Sequence, residues 1–211
     1  MTTLSINPKT TVLAAKTTAL VVVDLQNDFL AAQGAYARGG ATSAEARLLP
    51  GRVARVAQAL KAKGGMVLAS QFTLWPNAAG EAMISPHLLG LRPFLKRGDF
   101  APGSWGQACV DEIAPLVDVH VCKVAYSAFF NTQLDWVLKH AGIDTVVVCG
   151  IVTNGGVAST VRDAHMREYQ TLVLSDGCAA FSQATHDASM LDMSSIAQVL
   201  SCDALVAHLS T

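Results

Sequence analysis

Apolar residues fall into short dense runs along this chain, separated by stretches with helical spacing. Ala19 to Asp24 (ALVVVD) is almost purely apolar and rich in Val, the pattern of a central parallel strand buried on both faces. Gly65 to Gln71 (GMVLASQ), Asp118 to Cys122, Thr145 to Cys149 (TVVVC) and Thr171 to Leu174 (TLVL) read as further strands, the one from Thr145 again buried. Between the first two runs a helix is expected to start near Pro50, with Leu49, Val53, Val56 and Leu60 on its core face and Gly64 beyond its end. Further helices are expected around Gln107 to Ala114, over Asn131 to Ala141, from near Gly155, and over Ala184 to Leu200. Ala204 to Ala207 reads as a last strand. Strands alternating with helices imply a parallel sheet wrapped on both faces. The expected fold is therefore α/β: a three-layer α/β/α arrangement on a mainly parallel six-stranded sheet. It forms one domain over residues 1–211, with residues 1–17 as an N-terminal extension.

Phe72 to Gly106 breaks the alternation. It carries Pro76, Pro86, Pro93 and Pro102, too many for a long regular element. A loop of that length usually has a function or covers a site. In open α/β sheets ligands bind at the carboxyl ends of strands, near the reversal of strand order. The polar residues that end buried strands are thus the candidates. Asp24 ends the first run and Gln71 the second, Lys123 follows the third, and Gly150 to Gly156 follow the fourth. Each also has a duller reading. Asp24 could cap its turn, Lys123 could mark where the chain meets solvent, Gln71 could bond a loop, Asn154 could cap the next helix, and Gly155 and Gly156 could permit an unusual turn.

Composition narrows the function. The 211 residues are 51% hydrophobic with a net charge of −1, so neither a nucleic-acid nor an anionic-membrane surface is expected. No apolar run approaches the roughly 20 residues of a membrane helix. The five cysteines form no CxxC and no zinc spacing. An odd count without a secretory signal implies reduced thiols and a cytoplasmic location. The histidines form no short-spaced ligand set, and no G-x-G-x-x-G follows the first strand, so neither a metal nor another cofactor is expected.

Three segments tie the candidates together. VVVDLQNDF around Asp24, VCKVAYSAF around Lys123 and Val147 to Ala164 (VVCGIVTNGGVASTVRDA) stand in that order. They resemble the isochorismatase-like cysteine hydrolases, whose turn reads G-[IV]-x-T-N-x-C-V-x-S-T-x-R-D-A. The resemblance runs from about Thr18 to Ser182, and the GSW at Gly103 to Trp105 is a weaker match known from ureidoacrylate-type amidohydrolases. It implies that Asp24 and Lys123 are catalytic, and that Gly156 occupies the position of the nucleophilic cysteine. It also implies an oxyanion hole from the N–H groups of Val152 and Gly156, a cis peptide at Ile151–Val152, a small-molecule substrate, and a homo-oligomer (dimer or tetramer). Gln71, Asn154 and Gly155 join Val152 as substrate-binding candidates.

Glycine has no atom to attack with, so the thioester route is closed at position 156. Three explanations stand. The first is water-dependent cleavage assisted by Asp24 and Lys123, as in true isochorismatases, which also carry glycine here and keep a glutamine after the second strand. In those enzymes the aspartate is a general acid and needs a protonated carboxyl. Burial favours that state and a nearby Lys123 opposes it. The turn departs from that subfamily at Val152, Thr153 and Asn154, and its carboxylate-binding arginine has no clear counterpart, Arg92 and Arg97 being no more than candidates. The second is a relocated or replaced nucleophile, with Cys178 a better candidate than Cys149. The third is a retired hydrolase scaffold that only binds.

Overall fold

A computed structural model describes residues 13–210; the greater part of the N-terminal extension lies outside them. The elements in chain order are β1 (Thr18–Val23), α1 (Asn27–Leu30), α2 (Ala35–Arg38), α3 (Ala44–Ala62), β2 (Met66–Phe72), α4 (Pro86–Leu91) and β3 (Val119–Lys123). They continue with α5 (Leu134–His140), β4 (Thr145–Ile151), α6 (Ala158–Met166), β5 (Gln170–Ala179), α7 (Gln183–Met193), β6 (Gln198–Leu200) and α8 (Cys202–Ser210). The six strands form one sheet in the order β3-β2-β1-β4-β5-β6, and every pairing is parallel. β1 and β4 are buried along their whole length, as their unbroken apolar runs require.

The chain steps from β1 to β2 in one direction and from β4 to β5 in the other. Right-handed crossovers then place α3 and α6 on opposite faces of the sheet. α8 packs beside α3, and α7 beside α6. The strand order reverses between β1 and β4, so the ends of these two strands frame the crevice where such sheets bind ligands.

Several boundaries differ from the sequence expectation. α3 begins at Ala44, six residues before Pro50, because Ser43 caps it by accepting from the Ala46 N–H; Pro50 sits inside the helix. Leu49, Val53, Val56 and Leu60 are fully buried. No α-helix spans Gln107 to Ala114. The Asn27 N–H donates to the Ala108 carbonyl and the Val110 N–H to that of Leu25, so this segment spends its backbone bonds on the loop after β1. The helix over Ala184 to Leu200 stops at Met193, where the Ser194 and Ser195 hydroxyls bond the carbonyls of Leu191 and Asp192. The residues after them enter the sheet as β6. Ala204 to Ala207 is helical within α8, whose Leu205 and Leu209, four apart, are buried.

The long segment after β2 folds over the carboxyl edge of the sheet around a second, aromatic core of Tyr36, Leu74, Leu95 and Phe100, with Phe29 and Phe72 packed against it. Buried Asp28 fastens it: Oδ1 accepts from the Ala35 N–H at 3.1 Å and Oδ2 from the Phe100 N–H at 2.7 Å. All three tryptophans stand outside both cores: Trp75 and Trp105 in this segment, and Trp136 on α5, stacked on His140. Among the described residues no helix is long and apolar enough to cross a membrane.

Candidate active site

Asp24 follows the last residue of β1 and has φ of 56°, a left-handed conformation uncommon for a residue with a side chain. Its N–H donates to the Ser70 carbonyl at 3.2 Å. The carboxylate is buried. Oδ1 accepts from the Ser70 hydroxyl at 2.8 Å, and Oδ2 meets Lys123 Nζ at 2.7 Å. Lys123 ends β3, paired in register with Phe72 on β2. Its side chain is equally buried, and Nζ also donates to the carbonyls of Ala125 at 2.9 Å and Tyr126 at 3.0 Å. The three donors of the ammonium thus have three acceptors, and the charge lies 5.7 Å from the centre of the Phe72 ring. Burial pushes the Asp24 carboxyl above the usual carboxylate range, against the opposing pull of Lys123 and Ser70.

β4 delivers the third part. A side chain at Gly150, with φ of 116°, would collide with the Val23 carbonyl of β1, so glycine lets the two strands close up. The Ile151–Val152 peptide is cis. Thr153–Val157 then forms a single π-type turn that leads into α6. Val152 and Gly156 line one cavity of about 290 Å³ together with Asp24 and Lys123. Its walls are mostly apolar and include Phe29, Tyr36, Phe72, Leu88, Leu91 and Tyr126; Arg92 and His87 are polar exceptions.

A Cβ on Gly156 would stand 3.4 Å from Asp24 Oδ2, but only 2.9 Å from Val23 Cγ1 and 3.2 Å from the Ile151 carbonyl. Val23 therefore closes on the space a side chain would need, and the cavity gains access to the backbone at Gly156 rather than volume.

Asp24, Lys123, Val152 and Gly156 thus share one cavity. Gln71, Asn154 and Gly155 do not line it. The Gln71 amide donates to the Gln107 carbonyl at 3.1 Å, Asn154 is exposed on the outer side of the turn, and the Gly155 N–H turns back to the Val152 carbonyl at 2.9 Å. Cys178 lines a different cavity, and burial pushes its thiol far above the ordinary range. Cys149 is fully buried within β4, with its thiol raised for the same reason. Sequence reasoning missed the aromatic and leucine walls. The proline-rich segment pointed to their region, but nothing in its pattern singled out the residues that face inward. Among the described residues no three His, Cys, Asp or Glu side chains are placed to hold a metal ion.

The family profile described as "Isochorismatase domain" matches residues 18–204. The chain belongs to the isochorismatase family. It is 36% identical to a ureidoacrylate amidohydrolase, RutB, of Methylorubrum extorquens over 198 residues, 88% of this chain and 76% of that protein. The crystal structure of a cysteine hydrolase from Pseudomonas syringae pv. phaseolicola superposes with a TM-score of 0.81 at 26% identity, covering 95% of both chains. An N-carbamoylsarcosine amidase from Thermoplasma acidophilum superposes with a TM-score of 0.70 at 28% identity, covering 89% of this chain and 97% of that one. The protein is a hydrolase of this family, with its six-stranded parallel sheet and flanking helices.

Proposed function

We propose that this hydrolase cleaves a small metabolite of the amide or ureido class by direct attack of water, with no thioester. The buried Asp24–Lys123 pair in the cavity wall beside Gly156 carries this reading. Asp24 lines the cavity beside Gly156, so a water held in that cavity comes within reach of its carboxylate. Asp24 takes a proton from that water as its oxygen bonds to the substrate carbon. The C–N bond then breaks, and the leaving nitrogen takes the proton back from Asp24. Lys123 has no donor left for the substrate, so it acts through its charge. The N–H groups of Val152 and Gly156 hold the developing oxyanion. The ureido and carbamoyl substrates named for the relatives above support the substrate class, and the apolar walls suit the remainder of such a molecule. The raised thiol of Cys178, in another cavity, speaks against a displaced nucleophile. A homo-oligomer is part of this reading, because apolar Val124, Tyr126 and Phe130 stand half-exposed after β3; light scattering tests it.

The deciding experiment incubates the protein and Asp24→Asn with ureidoacrylate, N-carbamoylsarcosine and isochorismate across pH. Turnover of a ureido substrate should rise with pH through the raised Asp24 titration, vanish in Asp24→Asn, and leave no acyl adduct in the intact mass. Isochorismate cleavage that falls with pH would instead make Asp24 an acid towards a vinyl ether. Binding without turnover of any of the three would mark a retired scaffold.

A further inference from the structure

The turn Thr153–Val157 must hold Val152 and Gly156 at the cavity, and its two halves are secured differently. The second half is tied from within the fold. The Thr160 hydroxyl donates to the Gly156 carbonyl at 2.7 Å and accepts from the Ala128 N–H at 3.0 Å, which links the turn to the segment after Lys123. The first half is tied from outside. Thr153 is fully buried, and its hydroxyl lies 2.8 Å from Nδ1 of His186 on α7. His186 lines a separate cavity of about 510 Å³ and does not reach Asp24 or Lys123 through any bond of its own.

We infer that His186 is a positioning residue for the reaction proposed above: through Thr153 it fixes the first half of the turn, and with it the Val152 and Gly156 N–H groups. A buried hydroxyl with no partner is costly, so the bond selects one placement of Thr153. Thr153 directly follows Val152 and is three residues before Gly156, so displacement of the hydroxyl carries both donors with it. Displaced donors weaken transition-state binding more than substrate binding.

The test compares His186→Leu, His186→Asn, Thr153→Val and the double variant Thr153→Val/His186→Leu. Asn places a polar atom near the position of Nδ1, whereas Leu does not. His186→Leu should lower kcat by about 10- to 100-fold with KM within about twofold, as misplaced catalytic geometry does. His186→Asn should recover most of the loss. The double variant should be no worse than Thr153→Val alone, the non-additivity expected of one shared bond. Additive losses, or an Asn variant as poor as Leu, would mean that the ring serves packing only. Selective ¹⁵N-glycine labelling provides a readout that does not need turnover. The Gly155 and Gly156 amide signals should shift in His186→Leu and stay near their original positions in His186→Asn. Unmoved signals in His186→Leu overturn the inference even in an active enzyme, whereas shifted signals in a protein without turnover uphold it and count against the hydrolytic reading alone.

Discussion

Two lysine–aspartate pairs in this protein have nearly the same length and opposite surroundings. Lys123 meets Asp24 at 2.7 Å at the cavity floor, with side chains 1% and 5% exposed. Lys139 meets Asp135 at 2.8 Å one turn apart on α5, with side chains 58% and 31% exposed. For Asp24, burial wins and the carboxyl is raised. For Asp135, burial also pushes upward, but bonds from Lys139 and Tyr169 outweigh it and hold the carboxyl low. The same two residue types thus give a raised carboxyl in one place and a lowered, surface carboxyl in the other. The difference lies in the water each has lost, and perturbed groups of this kind gather where chemistry is done.

Removing one partner should separate the pairs most sharply. Lys123→Met leaves the Asp24 carboxylate buried and unpaired, at a cost of about 3–5 kcal/mol. Urea denaturation should show that loss, together with loss of turnover on any substrate found. A wild-type midpoint for Lys123→Met would mean that the pair does not carry a buried charge. The combined Asp24→Asn/Lys123→Met variant comes next. With both charges gone it should regain most of the stability while staying inactive, because a buried pair contributes little net stability against neutral replacements. A double variant no more stable than the single would show that the site is held by shape rather than charge.

The pH dependence should run in opposite directions at the two sites. Asp24 titrates higher in the fold than in the unfolded chain, so its contribution to stability is complete below the ordinary aspartate value of about 4 and is lost as pH rises through the raised value. Asp135 titrates lower in the fold, so its contribution is complete above that ordinary value and is lost as pH falls through the lowered one. Unfolding free energies of the parent against Asp24→Asn and Asp135→Asn, followed across pH, should diverge with opposite slopes; parallel slopes would erase the distinction. The smallest effect belongs to Lys139→Ala, which should cost only about 0.3–0.5 kcal/mol and vanish in high salt.

The sequence made the strand ends readable and the cavity walls opaque, for one physical reason. Asp24 and Lys123 each stand out as a charge at the end of an apolar run, and the sheet brings them together by its strand order alone. Tyr36, Leu88 and Arg92 reach the cavity from segments with little period, whose path depends on tertiary bonds such as those from Asp28 to the N–H groups of Ala35 and Phe100. Gln71 shows the converse. It stands at the polar end of an apolar run as Asp24 does, but its amide is drawn to the Gln107 carbonyl, just beyond the proline-rich segment. The exchanged identities of the last strand and helix have a simpler cause. Runs as short as Gln198–Leu200 and Ala204 to Ala207 carry too few residues to display either period.

The placement of the indoles has a practical consequence. Trp75, Trp105 and Trp136 are 46%, 50% and 63% exposed, so the native protein should already emit as wetted tryptophan. Its fluorescence maximum should move little on unfolding, and a melt followed by emission would understate the collapse of a sheet that circular dichroism sees directly. Trp75 and Trp105 lie in the segment that folds over the cavity edge, so the same weakness is useful with ligand present. A change in their emission at constant circular dichroism would report that segment answering to a bound molecule, without interference from the core.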